Sequence, residues 1–165
     1  VKRHPFKYLV LSTSNGVDIN SRYVVLRKFT ENDRFLIFTD QRSQKISDLK
    51  SNDDCTLIFF HNGKKLQVRV NGNAIIHQND TLSQRYWNGV KGQSDKAYTS
   101  FLSPGTKIEK PEDAYVWDEP ADSLHFTVLE IIPNNIEVLQ LNRDQHIRAK
   151  YSIHEGVFES TFIAP

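Results

Sequence analysis

Two Asn-Gly dipeptides, at 15–16 and 62–63, each separate two runs rich in strand-forming residues. Asn-Gly takes the positive φ that tight hairpin turns need, so such a chain is constrained first to antiparallel hairpins. The first dipeptide divides KYLVLST (7–13) from SRYVVLRKFT (21–30). The second divides CTLIFFH (55–61) from KKLQVRVNGNAIIH (64–77). A polar turn, ENDR (31–34), leads into FLIFTD (35–40), so the chain opens as a meander. Gly72 interrupts the long run 64–77 and is expected at a bulge or bend. Towards the end, strands are expected over 124–133, 135–141, 146–153 and 157–165, with turns at Asn134-Asn135 and Glu155-Gly156.

Only two segments change period. RSQKISDLKSN (42–52) places Ile46 and Leu49 three apart behind Ser43, a helix with Ser43 as N-cap. NDTLSQRYWNGV (79–90) puts Leu82, Tyr86 and Val90 on one helical face behind Asp80 or Thr81. From 91 to 123 the chain reads as a long loop containing Pro104-Gly105, Pro111 and Pro120, and loops of that length in compact domains are usually functional. Many short strands and few helices predict a mainly antiparallel barrel. The bend expected at Gly72 favours a barrel over a sandwich, because one long strand can then turn around a closed sheet.

The 165 residues suffice for a single domain, 1–165, with a sizeable core. A formal net charge of +1 gives no electrostatic footprint for nucleic acid or an anionic membrane surface, so neither is expected as a partner. No apolar run approaches the roughly 20 residues needed to span a bilayer. No charged-then-apolar signal segment opens the chain. The lone cysteine, Cys55, excludes an intramolecular disulfide and a cysteine zinc site, and beside an apolar run it reads as a buried, inert thiol. An intracellular, cytoplasmic protein is the expectation. The chain has no methionine and starts at Val1, so a trimmed or processed N-terminus is expected.

The strand 21–30 poses the chemical question. Side chains alternate along a strand, so Arg22 and Arg27 must point to opposite faces of an apolar run, Val24-Val25-Leu26. They either pair with carboxylates such as Asp18, Glu31 or Asp40, or hold an anion. TDQRSQK (39–45) offers the anion a place: a strand ends, and a helix begins with free backbone N–H groups beside Ser43, Arg42 and Lys45. The competing reading is an ordinary capped helix with solvated basic residues. Gln67 lies among Leu66, Val68 and Val70, where an amide either faces solvent or hydrogen-bonds a planar heterocycle. His146 and Arg148, two apart, share a strand face that suits anion recognition or acid–base work, or are simply exposed. There is no glycine-rich phosphate loop, no metal signature and no Gly-x-Ser-x-Gly elbow.

Taken in order, Arg22-Tyr23-Val24-Val25-Leu26-Arg27, Phe38-Thr39, Ser43-Gln44-Lys45, Leu66-Gln67-Val68 and the terminal Phe162-Ile163-Ala164-Pro165 resemble the pyridoxamine 5′-phosphate oxidase family of FMN-binding split barrels. The resemblance runs from about His4 to Pro165 and is nearer the oxidase-related branch than the biosynthetic enzyme. It implies a six-stranded antiparallel split β-barrel with a few short flanking helices. It also implies a homodimer with FMN in a cleft at the subunit interface.

On that resemblance Arg22 contacts the FMN phosphate, and the backbone of Tyr23, Val24 and Val25 lies along the flavin. Arg27 replaces a lysine near the substrate. Phe38, Thr39, Ser43, Gln44 and Lys45 fall at cofactor positions, Gln44 replacing an arginine of the phosphate triplet, for which Arg42 compensates from a shifted position. Gln67 matches a flavin-ring glutamine, Ser103 the serine of a Gln-Ser pair whose glutamine is Leu102, and Arg148 a flavin-site arginine. Leu139 stands where the family has a tryptophan. On the substrate side two family arginines fall at Asp144 and Val90, while His146, Tyr86 and Ser94 match.

The expected activity is therefore an FMN-dependent oxidoreductase acting on a small molecule other than pyridoxamine or pyridoxine phosphate, with Arg27 and His146 as catalytic residues and no metal. The alternatives are a flavin carrier or sensor without turnover, and a split barrel for another ligand such as haem or a deazaflavin.

Overall fold

The structure is a computed structural model that describes residues 4–92, 94–117, 122–154 and 157–165. Eight strands and two helices follow the order β1 (Tyr8–Ser14), β2 (Ile19–Phe29), β3 (Phe35–Asp40), α1 (Gln44–Ser51), β4 (Asp54–His61), β5 (Leu66–His77), α2 (Thr81–Val90), β6 (Phe126–Gln140), β7 (Ile147–His154) and β8 (Val157–Ile163). All strand pairings among the described residues are antiparallel. The ring β3-β2-β1-β4-β5-β6 closes through a β3–β6 pairing, giving the six-stranded barrel, and β7 and β8 extend the sheet beyond β6.

The barrel is split because of how β2 and β6 divide their lengths. β2 pairs with β1 over Ile19–Val25, but with β3 only from Leu26 onwards. Between Leu26 and Lys28 the register slips, so Arg27 is the extra residue of a β-bulge. The far edge of β2 over residues 19–25 has no strand partner among the described residues. β6 pairs with β3 through Phe126–Ile131 and with β7 through Asn135–Gln140.

The turn expected at Asn134-Asn135 does not form, and the two strands expected around it are one 15-residue strand. Pro133 lies between the end of the β3 pairing and the start of the β7 pairing, so the N–H it lacks is not needed by a strand on that flank. β5 follows β6 along both halves and absorbs the bend by a register shift at Asn71/Gly72. A Cβ on Gly72 would stand 2.1 Å from the carbonyl oxygen of Ile132, so only glycine fits this bulge.

The barrel interior is filled by alternate residues such as Leu9, Leu11, Leu57, Val70 and Ile131, and Ile46 and Leu49 of α1 close one end. A second core lies outside the barrel, where Leu36, Phe126 and Val128 meet Trp87 and Val90 of α2. The buried face of α2 is Ser83, Trp87 and Val90, with Leu82 and Tyr86 at its margin. The expected stripe is thus rotated towards Trp87, the bulkiest group available to cover the sheet. Asp80 caps α2, accepting from the Ser83 N–H. The segment 91–123 carries two short 3-10 turns, Asp95–Ala97 and Pro111–Ala114, in its described part. The turn expected at Glu155-Gly156 lies outside the described residues.

Candidate functional site

Arg22 shares the inward face of the barrel with Leu11, its register partner, at the end that α1 closes. Its guanidinium donates to the Thr13 hydroxyl at 2.7 Å and lies 3.5 Å from the Asp48 carboxylate. It does not pair with Asp18, Glu31 or Asp40, the partners open to it in the sequence. Asp48 projects from α1 and is fully buried, accepting from Thr13 (2.6 Å), Gln44 (2.9 Å) and Asn20 (3.2 Å). Burial alone would raise its pKa, but these hydrogen bonds and the Arg22 charge outweigh burial and hold it below the ordinary carboxylate value. The sequence signal for Asp48 was slight: an acid adjoining the Ile46/Leu49 stripe of a short helix.

Lys45 reaches back from α1 to donate to the Thr39 hydroxyl at 2.9 Å, and Thr39 is 3.3 Å from the Ser43 hydroxyl. The Lys45 pKa is lowered, first by burial and then by the like charge of Arg22, with Asp40 partly offsetting both. Both cations thus lie at the α1 end of the barrel, Arg22 on the Thr13 hydroxyl and Lys45 on the Thr39 hydroxyl. Ser43 begins the helix as expected, but its hydroxyl donates to the Asp40 carbonyl instead of capping the helix. The Gln44 amide is committed to Asp48. Arg42 does not join this cluster. Its guanidinium holds the Asp40 carboxylate at 2.7 Å and donates to the carbonyls of Ser100 and Phe101, latching the long loop to the end of β3. The expected compensation for the missing triplet arginine is therefore absent.

Arg27 points the other way. It donates to the hydroxyl of Tyr98 at 3.1 Å and lies over the Phe38 ring at 5.5 Å, on the outer face near α2. Tyr98 is buried and gave no sequence signal, because it sits in the loop-like segment 91–123.

Gln67 stands on the outer face of β5 opposite Leu139, which stands opposite Arg148 on β7. Arg148 and Arg69 both bind Glu137, at 2.8 and 2.6 Å, so Arg148 is a positioned cation whose charge is shared. Ser103 lines a cavity of about 270 Å³ together with Asp40 and Ser100. His146 precedes β7 and is exposed. One chain therefore brings Arg22, Thr39, Ser43 and Lys45 together, and separately Arg27 with Phe38. Gln67 and Arg148 sit on the β5–β7 part of the sheet, and among the described residues no hydrogen bond or ion pair links either to the first two groups.

The donor set at the α1 end suits a phosphate. Arg22 and Lys45 have hydroxyls as their nearest partners, they repel each other, and a dianion beside both would relieve that repulsion. The unpaired edge of β2 adjoining them leaves backbone donors and acceptors over Tyr23–Val25 for a planar ring.

Residues 1–78 match the family described as pyridoxamine 5′-phosphate oxidase, FMN-binding domain. No curated protein matches the chain. Among solved structures, a pyridoxamine 5′-phosphate oxidase-related, FMN binding protein from Nostoc punctiforme PCC 73102 is similar at 19% identity and a TM-score of 0.79, over 99% of this chain and 91% of that one. PhzG from Burkholderia lata 383, in complex with tetrahydrophenazine-1-carboxylic acid, is similar at 18% identity and a TM-score of 0.77, over 98% and 84%. General Stress Protein 26 from Bacillus anthracis str. Sterne is similar at 21% identity and a TM-score of 0.52, over 82% and 89%.

Proposed function

We propose that this pyridoxamine 5′-phosphate oxidase-like split-barrel protein binds FMN and is an FMN-dependent oxidoreductase. The observation that carries the reading is the placement of Arg22 and Lys45, held by the Thr13 and Thr39 hydroxyls, beside the free edge of β2. Arg22, Lys45, Thr39 and Ser43 would hold the phosphate, and the Tyr23–Val25 backbone would lie along the ring. Phe38, Gln44, Gln67, Ser103 and Arg148 complete the proposed cofactor site, with Arg27 at its substrate side. FMN, when bound, supplies the capacity to take up a hydride or electrons. The chain's own residues bind and orient it: Arg22 and Lys45 neutralise the phosphate, and Arg27 presents a fixed positive charge on the outer face.

A homodimer is part of the proposal. Gln67 and Arg148 are not tied to the Arg22 cluster within one chain, and a second copy would bring its own Gln67 and Arg148 to that cluster. Tyr8, Tyr23 and Phe60, exposed by 59%, 79% and 46% on the outer face, are the apolar groups such a copy would cover. Among the described residues no helix is long and apolar enough to cross a membrane, and a cytoplasmic location is proposed on the buried lone thiol of Cys55.

The substrate is proposed to be a small molecule other than pyridoxamine or pyridoxine phosphate. Val90 is buried in the second core and Asp144 is exposed and acidic, so neither supplies a cation for a substrate phosphate. The exposure of His146, proposed as a proton-transfer group, also suits a second reading, a flavin carrier or sensor without turnover.

Flavin titration with mass identification of the released chromophore tests the assignment. The wild type is expected to take up FMN saturably. The double variant Arg22→Ala/Lys45→Ala is expected to bind at least about tenfold more weakly, each charge-assisted hydrogen bond contributing on the order of 1.5–3 kcal/mol. A wild type that takes up no FMN overturns the reading. Reduction of bound FMN by a substrate, followed by reoxidation by an acceptor, separates the enzyme from the carrier.

A further inference from the structure

A connection as long as 91–123, with so little regular structure, costs conformational entropy to hold in one place. Tyr98 is buried against Phe126, with ring centroids 5.1 Å apart, and just beyond it Arg42 grips the chain. The Arg42 guanidinium donates from Nη2 to the Ser100 carbonyl at 2.7 Å and from Nη1 to the Phe101 carbonyl at 3.1 Å. The same group holds the Asp40 carboxylate through Nε at 3.0 Å and Nη2 at 2.7 Å, and the Arg42 backbone N–H donates to Asp40 Oδ1 at 2.7 Å. Asp40 is buried, so its charge needs this partner. Its peptide carbonyl accepts in turn from the Ser43 N–H at 3.1 Å and the Ser43 hydroxyl at 2.7 Å. One turn, Asp40–Ser43, therefore fixes Ser43 on one side and the long loop on the other.

Ser103 follows two residues after the gripped carbonyls. Its own carbonyl accepts from the Thr106 N–H at 3.1 Å, closing a turn with Pro104 second and Gly105 third. Gly105 has a φ of +89°, as a type II turn requires at that place, and proline presets the place before it. Ser103 is thus exposed yet fixed from both sides, by the Arg42 clamp before it and the turn after it. With Asp40 and Ser100 it lines the cavity of about 270 Å³. A hydroxyl held in this way meets a ligand without the entropy loss of ordering its loop. We infer that Arg42 is a positioning residue: by gripping the Ser100 and Phe101 carbonyls on the end of β3, it holds the Ser103 hydroxyl in its binding position and makes the loop and the turn Thr39–Lys45 one unit. This rests on the proposed flavin site, to which Ser103 belongs.

The test is a double-mutant cycle in FMN titration, with amide hydrogen exchange over residues 100–106 beside it. Arg42→Lys keeps the counter-charge of Asp40, so the fold is retained, but it lacks the planar fork that reaches a carboxylate and two carbonyls together. It is expected to speed exchange over 100–106 by about tenfold or more and to weaken FMN several-fold. Ser103→Ala is expected to weaken FMN several-fold in the wild type and to add no further loss in Arg42→Lys. That non-additivity separates positioning of Ser103 from a general loss of stability. Losses that multiply in the double variant, a Ser103→Ala protein that binds FMN as the wild type does, or unchanged exchange over 100–106 in Arg42→Lys overturns the inference while FMN uptake stands. A wild type that takes up no FMN overturns the flavin reading and the role of Ser103 with it.

Discussion

At the α1 end of the barrel the inward rows finish in Thr13, Arg22 and Thr39, and Asp48 comes down from the helix to meet them. At the opposite end the same strands finish in Leu26, Phe35, Phe59 and Val68, around which Phe6 and Phe29 gather. The first end is a network of charges and hydroxyls. The second is an apolar cavity of about 360 Å³. The difference follows from the connections. β3 passes into α1 through only Gln41–Ser43, so the helix must land on the end where β3 stops. Its free N–H groups and the side chains of its first turns come with it. The opposite end is bounded by the tight turns after β2 and β4, too short to cover the barrel, and aromatic rings fill it instead. Polar and apolar groups are thereby assigned to different ends of one sheet.

The sharpest way to break this comparison is to damage one end and read out the other. Phe59→Ala is expected to lower stability by about 3–5 kcal/mol, as for a buried aromatic truncated in a core. FMN affinity of the protein that remains folded should be unchanged. Denaturant unfolding beside flavin titration checks this, and a parallel loss of affinity would mean that the two ends are coupled. Asp48→Ala is expected to cost roughly 3 kcal/mol, because it strips a buried acceptor from Thr13, Gln44 and Asn20 and the counter-charge from Arg22. Since the Asp48 pKa is held low in the fold, its contribution is present above the unfolded carboxylate value. It is lost as pH falls through the folded one, so the variant and wild type should converge in acid unfolding.

Two smaller effects sharpen the picture. Gln44→Arg adds a cation at the α1 end only, and is expected to tighten FMN several-fold, about 1 kcal/mol, in flavin titration. The β5–α2 junction belongs to neither end and serves as a control. There His77 lies 2.7 Å from Asp80 and 2.8 Å from Glu130. Burial would lower its pKa, but hydrogen bonds and charge from both acids raise it above the ordinary histidine value. Its stabilisation is therefore full below the unfolded histidine pKa and is lost as pH rises through the folded one. His77→Gln is expected to lower stability by about 1 kcal/mol at pH 6 and by less at pH 9, with flavin affinity untouched at both. A histidine titration followed by NMR reads the direction of the shift directly.

Much of this architecture was legible in the residues. The Asn-Gly dipeptides mark the β1–β2 and β4–β5 turns, Ser43 marks the start of α1, and Gly72 marks the bulge. Alternation alone sends Arg22 and Arg27 to opposite faces, and the structure keeps them there. These features depend on backbone conformation over a few residues, which side-chain size and φ preference dictate locally. The misread features share another character. The turn signal at Asn134-Asn135 was overridden by β5, which pairs with β6 on both sides of it. The face of α2 was settled by where Trp87 could reach the sheet.

Partner choice was likewise decided by the fold. Asp48 lies 26 positions from Arg22 in sequence, and Tyr98 lies 71 from Arg27. Sequence determined that the chain would make a split barrel with a cation on each face of β2. Only closure of the ring, which places α1 over one end and Tyr98 against the other face, decided that one cation would lie beside a buried acid and the other on an aromatic bed, without a carboxylate partner among the described residues. The physical reason is that alternation is a property of each strand alone, whereas the neighbour of a side chain depends on contacts between segments distant in the chain.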